Sequence, residues 1–398
     1  MKITSSVPGY PLSSCCMKIL SPQELARENS KRLKSLFSHS LPYFSSSRFL
    51  LKINGIKKIW LPSTMRQLPL IRKLIKYKSL SDFKRSLFFR QNFHSVSNFF
   101  LTLHNLRLRH DFLYWVSQVY SQFSSMKIYP SLVAKFQKIH QSEKPIRLLI
   151  RKNYNQSLIE LINLFVIWSK AFAPKGLNIM SVAPTTELAV KSRRFFRQWS
   201  ESADSSVFRF TKSNRLISSA FPSINSKVWF IASSRPDNCR GLNYSYLILS
   251  DMHKWNNAEK SPARKVFQAS FPVIPDSLDS AIIMESGPSN LRSIFNEEWR
   301  ATKKGCSPFD TYSIPWYEDL QNIFRFDFPE EKYRFYKKLI KNCNLAIFPP
   351  FRNVSGKYLY SLWQSGLPLE SLYWYLTESS FYKSRKKFLL RFPSILLH

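Results

Sequence analysis

From about residue 144 onward the chain alternates short apolar runs with longer helical-periodic ones, and this alternation restricts its fold more than any other feature. Pro145-Ile-Arg-Leu-Leu-Ile150 has the length and composition of a strand. A polar turn, Arg151-Lys-Asn-Tyr-Asn155, leads into an apolar-periodic helix from Ser157 to about Phe172. Leu177 to Ala183 reads as a second strand, stopped by Pro184, and Thr186 to Trp199 as a second helix. Further strands are expected at Lys227 to Ala232, Tyr246 to Leu249 and Ala281 to Glu285. Strands and helices in this order predict an α/β fold, a mostly parallel twisted sheet flanked by helices. Ligands of such sheets sit at the carboxyl ends of the strands, so a site is expected in the loops after Ile150, Leu249 and Met284.

Three regions are expected: a basic, mainly helical region at 1–125, the α/β core at 126–345, and a helical closing segment at 346–398. In the first, Ser21, Pro22 and Glu24 make a capped helix start running to Phe37, and Leu68 to Phe89 has helical character. Sixty Lys+Arg against 25 Asp+Glu give a formal charge of +35, which favours a polyanionic partner, with nucleic acid the default. AT-rich coding alone also raises lysine content. Eight glycines in 398 residues lie far below the usual share of about 7%. Nucleotide-binding loops use glycine for positive φ and close backbone approach, so a chain this poor in it either binds no phosphate or does so with a compromised loop.

The five cysteines form no C-x-x-C pair, which argues for a reducing compartment and against a zinc site or disulfide framework. No apolar run reaches the ~18 residues of a membrane span. The first twenty residues lack a hydrophobic signal core, so the expectation is an untargeted, cytoplasmic chain.

Arg235 to Asp251 with Trp255, Ile283 to Asn290 with Phe295 and Trp299, and Pro315-Trp-Tyr-Glu318 occur in an order and spacing similar to those of the ATPase domain of phage terminase large subunits. Arg235-Pro-Asp-Asn-Cys-Arg-Gly-Leu-Asn-Tyr-Ser-Tyr-Leu-Ile-Leu-Ser-Asp251, followed by Trp255, resembles the stretch leading into the Walker B strand. Ile283-Met-Glu-Ser-Gly-Pro-Ser-Asn290, with Phe295 and Trp299, resembles the coupling strand, E-S-T-x-N-G…F…W. Pro315-Trp-Tyr-Glu318 matches the P-W-[FY]-E that follows it, and Arg107-Leu-Arg-His-Asp-Phe-Leu-Tyr-Trp115 the entry segment. Gly366 to Trp374 and Arg391-Phe-Pro393 resemble the segment that closes the domain, and Leu61-Pro-Ser-Thr-Met65 extends the likeness toward the N-terminus.

The resemblance implies a P-loop NTPase-like fold, ATP and Mg2+ as cofactors, and specific residue roles. Gln137 stands where the family places its adenine-reading glutamine. The phosphate loop corresponds to Lys152-Asn-Tyr-Asn-Gln-Ser157. There Lys152 takes the arginine's place, Asn155 and Gln156 stand at the glycine positions, and Ser157 keeps the magnesium role. Asp251 replaces the catalytic glutamate and, with Ser157, is the implied magnesium ligand; it is one methylene shorter, and such a displacement costs about 10²-fold in rate. The coupling strand keeps Ser286 but has Gly287 for its threonine and Asn290 for its glycine, and Arg240 is a candidate phosphate or inter-subunit contact.

The expected function is a terminase-type ATPase that packages double-stranded DNA, with a portal protein, a small terminase subunit and a homo-oligomeric ring as implied partners and assembly. After residue 345 the only acids are Glu370 and Glu378, too few for a two-metal nuclease, so no nuclease activity is expected. The alternatives are a non-catalytic basic DNA-binding protein with this fold, or a decaying prophage or gene-transfer remnant.

Overall fold

A computed structural model describes residues 19–37, 48–53, 57–77, 80–119, 128–142, 144–152, 158–170, 178–202, 218–221, 226–235, 242–255, 262–287, 293–319, 321–385, 388–389 and 392. In chain order the first elements are α1 (Pro22–Phe37), β1 (Arg48–Ile53), β2 (Lys57–Pro62), α2 (Pro69–Lys76), α3 (Leu80–Arg85), α4 (Leu87–Asn92), α5 (Val96–His110) and α6 (Phe112–Val119). Then come α7 (Pro130–His140), β3 (Ile146–Arg151), α8 (Ile159–Lys170), β4 (Asn178–Ala183), α9 (Thr186–Ser202), β5 (Ser218–Phe221), β6 (Ser226–Ala232) and β7 (Tyr246–Leu249). The last are α10 (Pro262–Ser270), β8 (Ala281–Ser286), α11 (Ile294–Lys303), β9 (Asp310–Ser313), α12 (Pro329–Lys341), α13 (Gly356–Gln364) and α14 (Leu369–Ser380).

Seven strands form one sheet in the order β5-β6-β4-β7-β8-β3-β9. Every pairing among the last six is parallel, and β5 joins the edge antiparallel to β6. The central strands are apolar on both faces, as a sheet covered on both sides requires. Their two-residue period sorts them between two cores. Leu148 and Ile150 of β3, Ile248 of β7 and Ile283 of β8 face the core made with α6, α7, α8 and α9. Leu149, Leu247, Leu249, Ile282 and Met284 face the core made with α10 and α11. Helix α8 is buried without interruption from Leu161 to Trp168, because it lies between the sheet and α6 and α7. The ring of Phe165 stacks on that of Phe136, centroids 4.0 Å apart, and Trp168 Nε1 donates to the Leu108 carbonyl at 2.9 Å.

The chain forms two compact units, Met1–Ser38 with Asn322–Arg385, and His39–Gln321 with Lys386–His398. These cut across the divisions expected at 125 and 345. The reason is visible on α1, whose buried Asn29 donates to both carboxylate oxygens of Glu370 at 3.0 and 2.8 Å and accepts from the Leu369 N–H at 2.9 Å. Lys332 completes that buried cluster, 2.6 Å from Glu370, and Arg32 lies 3.5 Å over the Trp363 ring. The start of α1 has the expected reciprocal cap: the Glu24 N–H donates to Ser21 Oγ at 3.3 Å, and the Ser21 N–H to Glu24 at 2.9 Å.

Elsewhere in the N-terminal region the structure adds detail to two readings. Leu68 to Phe89 is helical as expected, divided into α2, α3 and the start of α4, where Ser86 accepts the Phe89 N–H and caps a new helix. The region is helical but also holds the β1–β2 antiparallel pair, which packs Phe49, Leu51 and Leu61 into a separate core with Phe83, Phe93 and Phe99. Asn54-Gly55 between two apolar runs was the sequence signal for that pair. Strands β5 and β9 were also not expected; β9 is four residues, Asp310-Thr-Tyr-Ser313, whose composition carries no apolar run.

One side chain in the main core works against it. Asn163 is 1% exposed on the all-buried face of α8, and neither amide atom has a hydrogen-bond partner among the described residues. An unsatisfied buried polar group costs about 1–3 kcal/mol. Asn163→Leu is therefore expected to raise the urea midpoint of unfolding, by a stability gain of that order; an unchanged or lowered midpoint would mean that the amide is satisfied in solution.

Candidate functional site

Adjacent strands β3 and β8 send their following helices to opposite faces of the sheet, α8 into one core and α11 into the other. Such a switch point opens a crevice at the carboxyl ends of the strands. The chain places charge there. Lys152 directly follows β3, Asp251 lies two residues past β7, and Glu285 is the fifth residue of β8.

The Lys152 ammonium sits between the two carboxylates. It is hydrogen-bonded to Asp251 Oδ1 and lies 2.8 Å from Glu285 Oε2. Glu285 Oε1 accepts the Asp251 backbone N–H at 2.9 Å, and Asp251 Oδ2 lies 3.2 Å from Lys254 Nζ. The side chains of Lys152 and Glu285 are 2% and 1% exposed, that of Asp251 19%. Burial by itself would lower the Lys152 pKa, but Glu285 and Asp251 together outweigh it and hold the group above its ordinary value, protonated. Burial would raise Asp251, yet Lys152 and then Lys254 carry its carboxyl below the ordinary range. Glu285, the most deeply placed, is pushed up by burial against the pull of Lys152.

The backbone around this cluster is unusual. Asp251 has φ 48° and ψ 40°, the only non-glycine residue with positive φ among the described residues. That conformation is uncommon for a residue with a Cβ, though Asp tolerates it better than most, and it is held here by the Glu285 carboxylate on its N–H. Ser250, before it, is turned inward, its hydroxyl donating to the Val182 carbonyl at 3.1 Å. Trp255 closes the turn by donating to the Ser250 carbonyl at 3.0 Å.

His253 explains a departure from the coupling-strand pattern. Its Nδ1 accepts the Gly287 N–H at 2.9 Å, and a Cβ at position 287 would lie 3.1–3.3 Å from the imidazole ring. The ring thus occupies space that a threonine at 287 would need. Burial, and then the nearby lysines against the pull of Asp251, lower His253 to about 4, so it is neutral near pH 7.

The cluster forms the floor of a cleft whose wall includes Glu160, Lys191, Ser192 and Phe195. Of the residues expected from sequence, Lys152 and Asp251 meet in this cleft. Ser286 is fully buried beside it, its carbonyl accepting the Lys152 N–H at 3.0 Å and its hydroxyl donating to the Gly287 carbonyl at 2.9 Å. Gln137 is elsewhere: it is buried in α7, its amide donating to the His110 carbonyl at 2.9 Å and accepting from the Phe112 N–H, so it ties α7 to the α5–α6 corner. Asn155, Gln156, Ser157 and Arg240 lie outside the described residues. Sequence reasoning assigned no role to Glu285, Lys254, His253 or Lys191. Glu285 had a signal, a lone acid inside the apolar run Ala281-Ile-Ile-Met284.

Two carboxylates and a lysine at a sheet's carboxyl edge suit a phosphoanion, or a hard cation that takes its remaining ligands from phosphate oxygens. Among the described residues no group of three or more His, Cys, Asp or Glu could hold a metal ion, and no helix is long and apolar enough to cross a membrane. A scan against models of known protein families finds no match, and a search of curated proteins finds none either.

A second buried acid lies at the start of α7. Glu318, in the Pro315-Trp-Tyr-Glu318 segment, accepts the Ser131 N–H at the start of α7 at 3.1 Å. Burial raises the phenol of Tyr129, just before α7, and the nearby Asp319, Glu318 and Glu285 add to it. Burial pushes the Glu318 carboxyl up to about 7. The folded chain therefore keeps a proton that the unfolded chain releases near 4.5, and stability falls as pH rises from about 4.5 to 7. Glu318→Gln, neutral throughout, is expected to lose that decline when urea midpoints are compared at pH 5 and pH 8; the same decline in both proteins would remove Glu318 as its source.

Proposed function

We propose that this chain is a terminase-type ATPase domain that works on double-stranded DNA. What supports the reading is the meeting of Lys152 and Asp251, 99 residues apart in sequence and picked from the resemblance as phosphate-binding lysine and catalytic carboxylate. In this reading Lys152 neutralises phosphate charge, Asp251 orients the attacking water, and Glu285 holds the Asp251 backbone in place. Magnesium bound with the nucleotide would supply Lewis-acid polarisation of the phosphate oxygens. Ring assembly, a portal and small-subunit partner, and action in the host cytoplasm belong to the same proposal through the resemblance.

One observation favours a second reading, a non-catalytic DNA-binding protein of this fold: Lys152 is already ion-paired to both carboxylates. Mg-ATP binding separates the two. The wild-type chain is expected to bind, and a Lys152→Ala/Asp251→Ala double variant to lose binding, in a fluorescent-nucleotide titration. No binding by wild type at millimolar nucleotide would end the ATPase reading and leave the DNA-binding one.

For the DNA half of the proposal, the described surface offers a specific feature. Arg334, Lys337, Lys338 and Lys341 recur at i, i+3, i+4 and i+7 along α12, all exposed, while Phe335, Tyr336 and Leu339 bury the other side. None of the four pairs with a carboxylate among the described residues. A basic stripe of this kind matches a phosphate backbone. Changing all four to Gln is expected to weaken duplex DNA binding and to reduce the slope of log K against log salt by about 0.9 for each phosphate that the variant no longer neutralises. An unchanged slope would place the DNA-binding surface elsewhere.

A further inference from the structure

Each carboxylate oxygen of Asp251 and Glu285 faces a cation or an N–H, and Glu285 Oε2 has its ion pair with Lys152 but no hydrogen bond among the described residues. Asp251 Oδ1 and Glu285 Oε2 share the Lys152 ammonium, Glu285 Oε1 takes the Asp251 N–H, and Asp251 Oδ2 faces Lys254. Two carboxylates that converge on one point from neighbouring strand ends are the protein's half of a divalent-cation site; here that point is filled by an ammonium on a flexible stem. We propose that Lys152 is a displaceable occupant of a divalent-cation site formed by Asp251 and Glu285, so that a hard cation enters only together with a phosphoanion that draws the ammonium away.

Three features carry this. Charge comes first. With Lys152 in place, the two carboxylates are balanced by Lys152 and the nearby Lys254, and a divalent ion approaching alone meets a cluster with no net negative charge to attract it. Ligand count comes second. Two carboxylates leave most of an octahedral shell to be filled, and His253 offers no Nδ1 because that nitrogen accepts from Gly287. Magnesium characteristically makes up such a shortage with substrate phosphates. Third, an exit exists. The cleft that opens off the cluster is lined by Lys191, a donor suited to the same phosphate that would take up Lys152, and by Ser192, whose hydroxyl donates to the Leu188 carbonyl at 3.0 Å. Cation and anion then bind with positive coupling, and the coupling is the same whichever binds first. The proposal rests on the phosphate-binding role of Lys152 given above, but not on hydrolysis.

The test is a Mn2+ titration of the full chain followed by electron paramagnetic resonance, with no nucleotide present. Wild type is expected to bind Mn2+ at least about tenfold more weakly than Lys152→Met, which leaves the two carboxylates without their tethered counter-ion. Lys152→Met/Asp251→Asn is expected to lose the gain. A wild-type chain that holds one Mn2+ tightly by itself, with loss in Asp251→Asn, would overturn the proposal, as would a folded Lys152→Met that binds no better than wild type. Should Lys152→Met fail to fold, the wild-type chain decides: dialysed with saturating ADP, it is expected to retain Mn2+ beyond what free ADP carries, and equal Mn2+ on both sides refutes the coupling. A gain of Mn2+ binding in Lys152→Met, in a chain that binds no nucleotide, would sink the ATPase reading and leave the cation site standing.

Discussion

The ammonium of Lys152, held out of water between Asp251 and Glu285, is the interaction around which the rest of the sheet edge is arranged. Taking charges from water is costly, and removing one partner from such a buried set typically destabilises by about 3–5 kcal/mol. The ends of β3, β7 and β8 are therefore tied together by electrostatics as well as by their ladder hydrogen bonds. The left-handed backbone at Asp251 follows from the same constraint, since Glu285 accepts its N–H and the turn is completed by Ser250 and Trp255.

This arrangement needs a sheet that is dry on both faces. The two cores on either side of β3, β7 and β8 leave the crevice at their carboxyl ends as the place where charged side chains can meet both one another and solvent. Lys152 and Glu285 lie at its buried end and Asp251 at its more open one. The parallel order also explains why residues so far apart in sequence converge: each strand end delivers its following residue to the same edge.

Departures from the terminase pattern read differently once the neighbours are known. Where the terminase pattern has threonine this chain has Gly287, and the His253 ring lies where a side chain at 287 would need space and accepts the glycine's N–H. Gln137, expected at a base-reading position, spends its amide on the backbone of His110 and Phe112 and so organises the corner between α5 and α6. The Arg107 to Trp115 segment has a comparable structural part. Asp111 caps the next helix by accepting the Tyr114 N–H at 3.3 Å, Arg107 lies 3.6 Å over the Tyr114 ring, and Trp115 is fully buried. Motif resemblance located these residues, but several of them serve the packing of the fold.

The α/β class and the strands β3, β4, β6, β7 and β8 were legible in the sequence because each is a run of apolar residues long enough to be buried on both faces, and α8 and α9 because their periodicity is helical. The edge strands β5 and β9 were not, since strands of four residues depend on a partner rather than on their own composition, and the β1–β2 pair was missed although Asn54-Gly55 between apolar runs signalled it. Lys152 and Asp251 were named through the family resemblance, in loops that the strand pattern had marked as the place for a site. That Glu285 joins them, that His253 fills the space over Gly287, and that α1 belongs with the C-terminal helices were decided only by tertiary structure. The physical reason is common to all three: local pattern reports which face of an element is buried, whereas the partner of a buried charge or amide is chosen by whatever the strand order and helix packing bring within hydrogen-bonding distance.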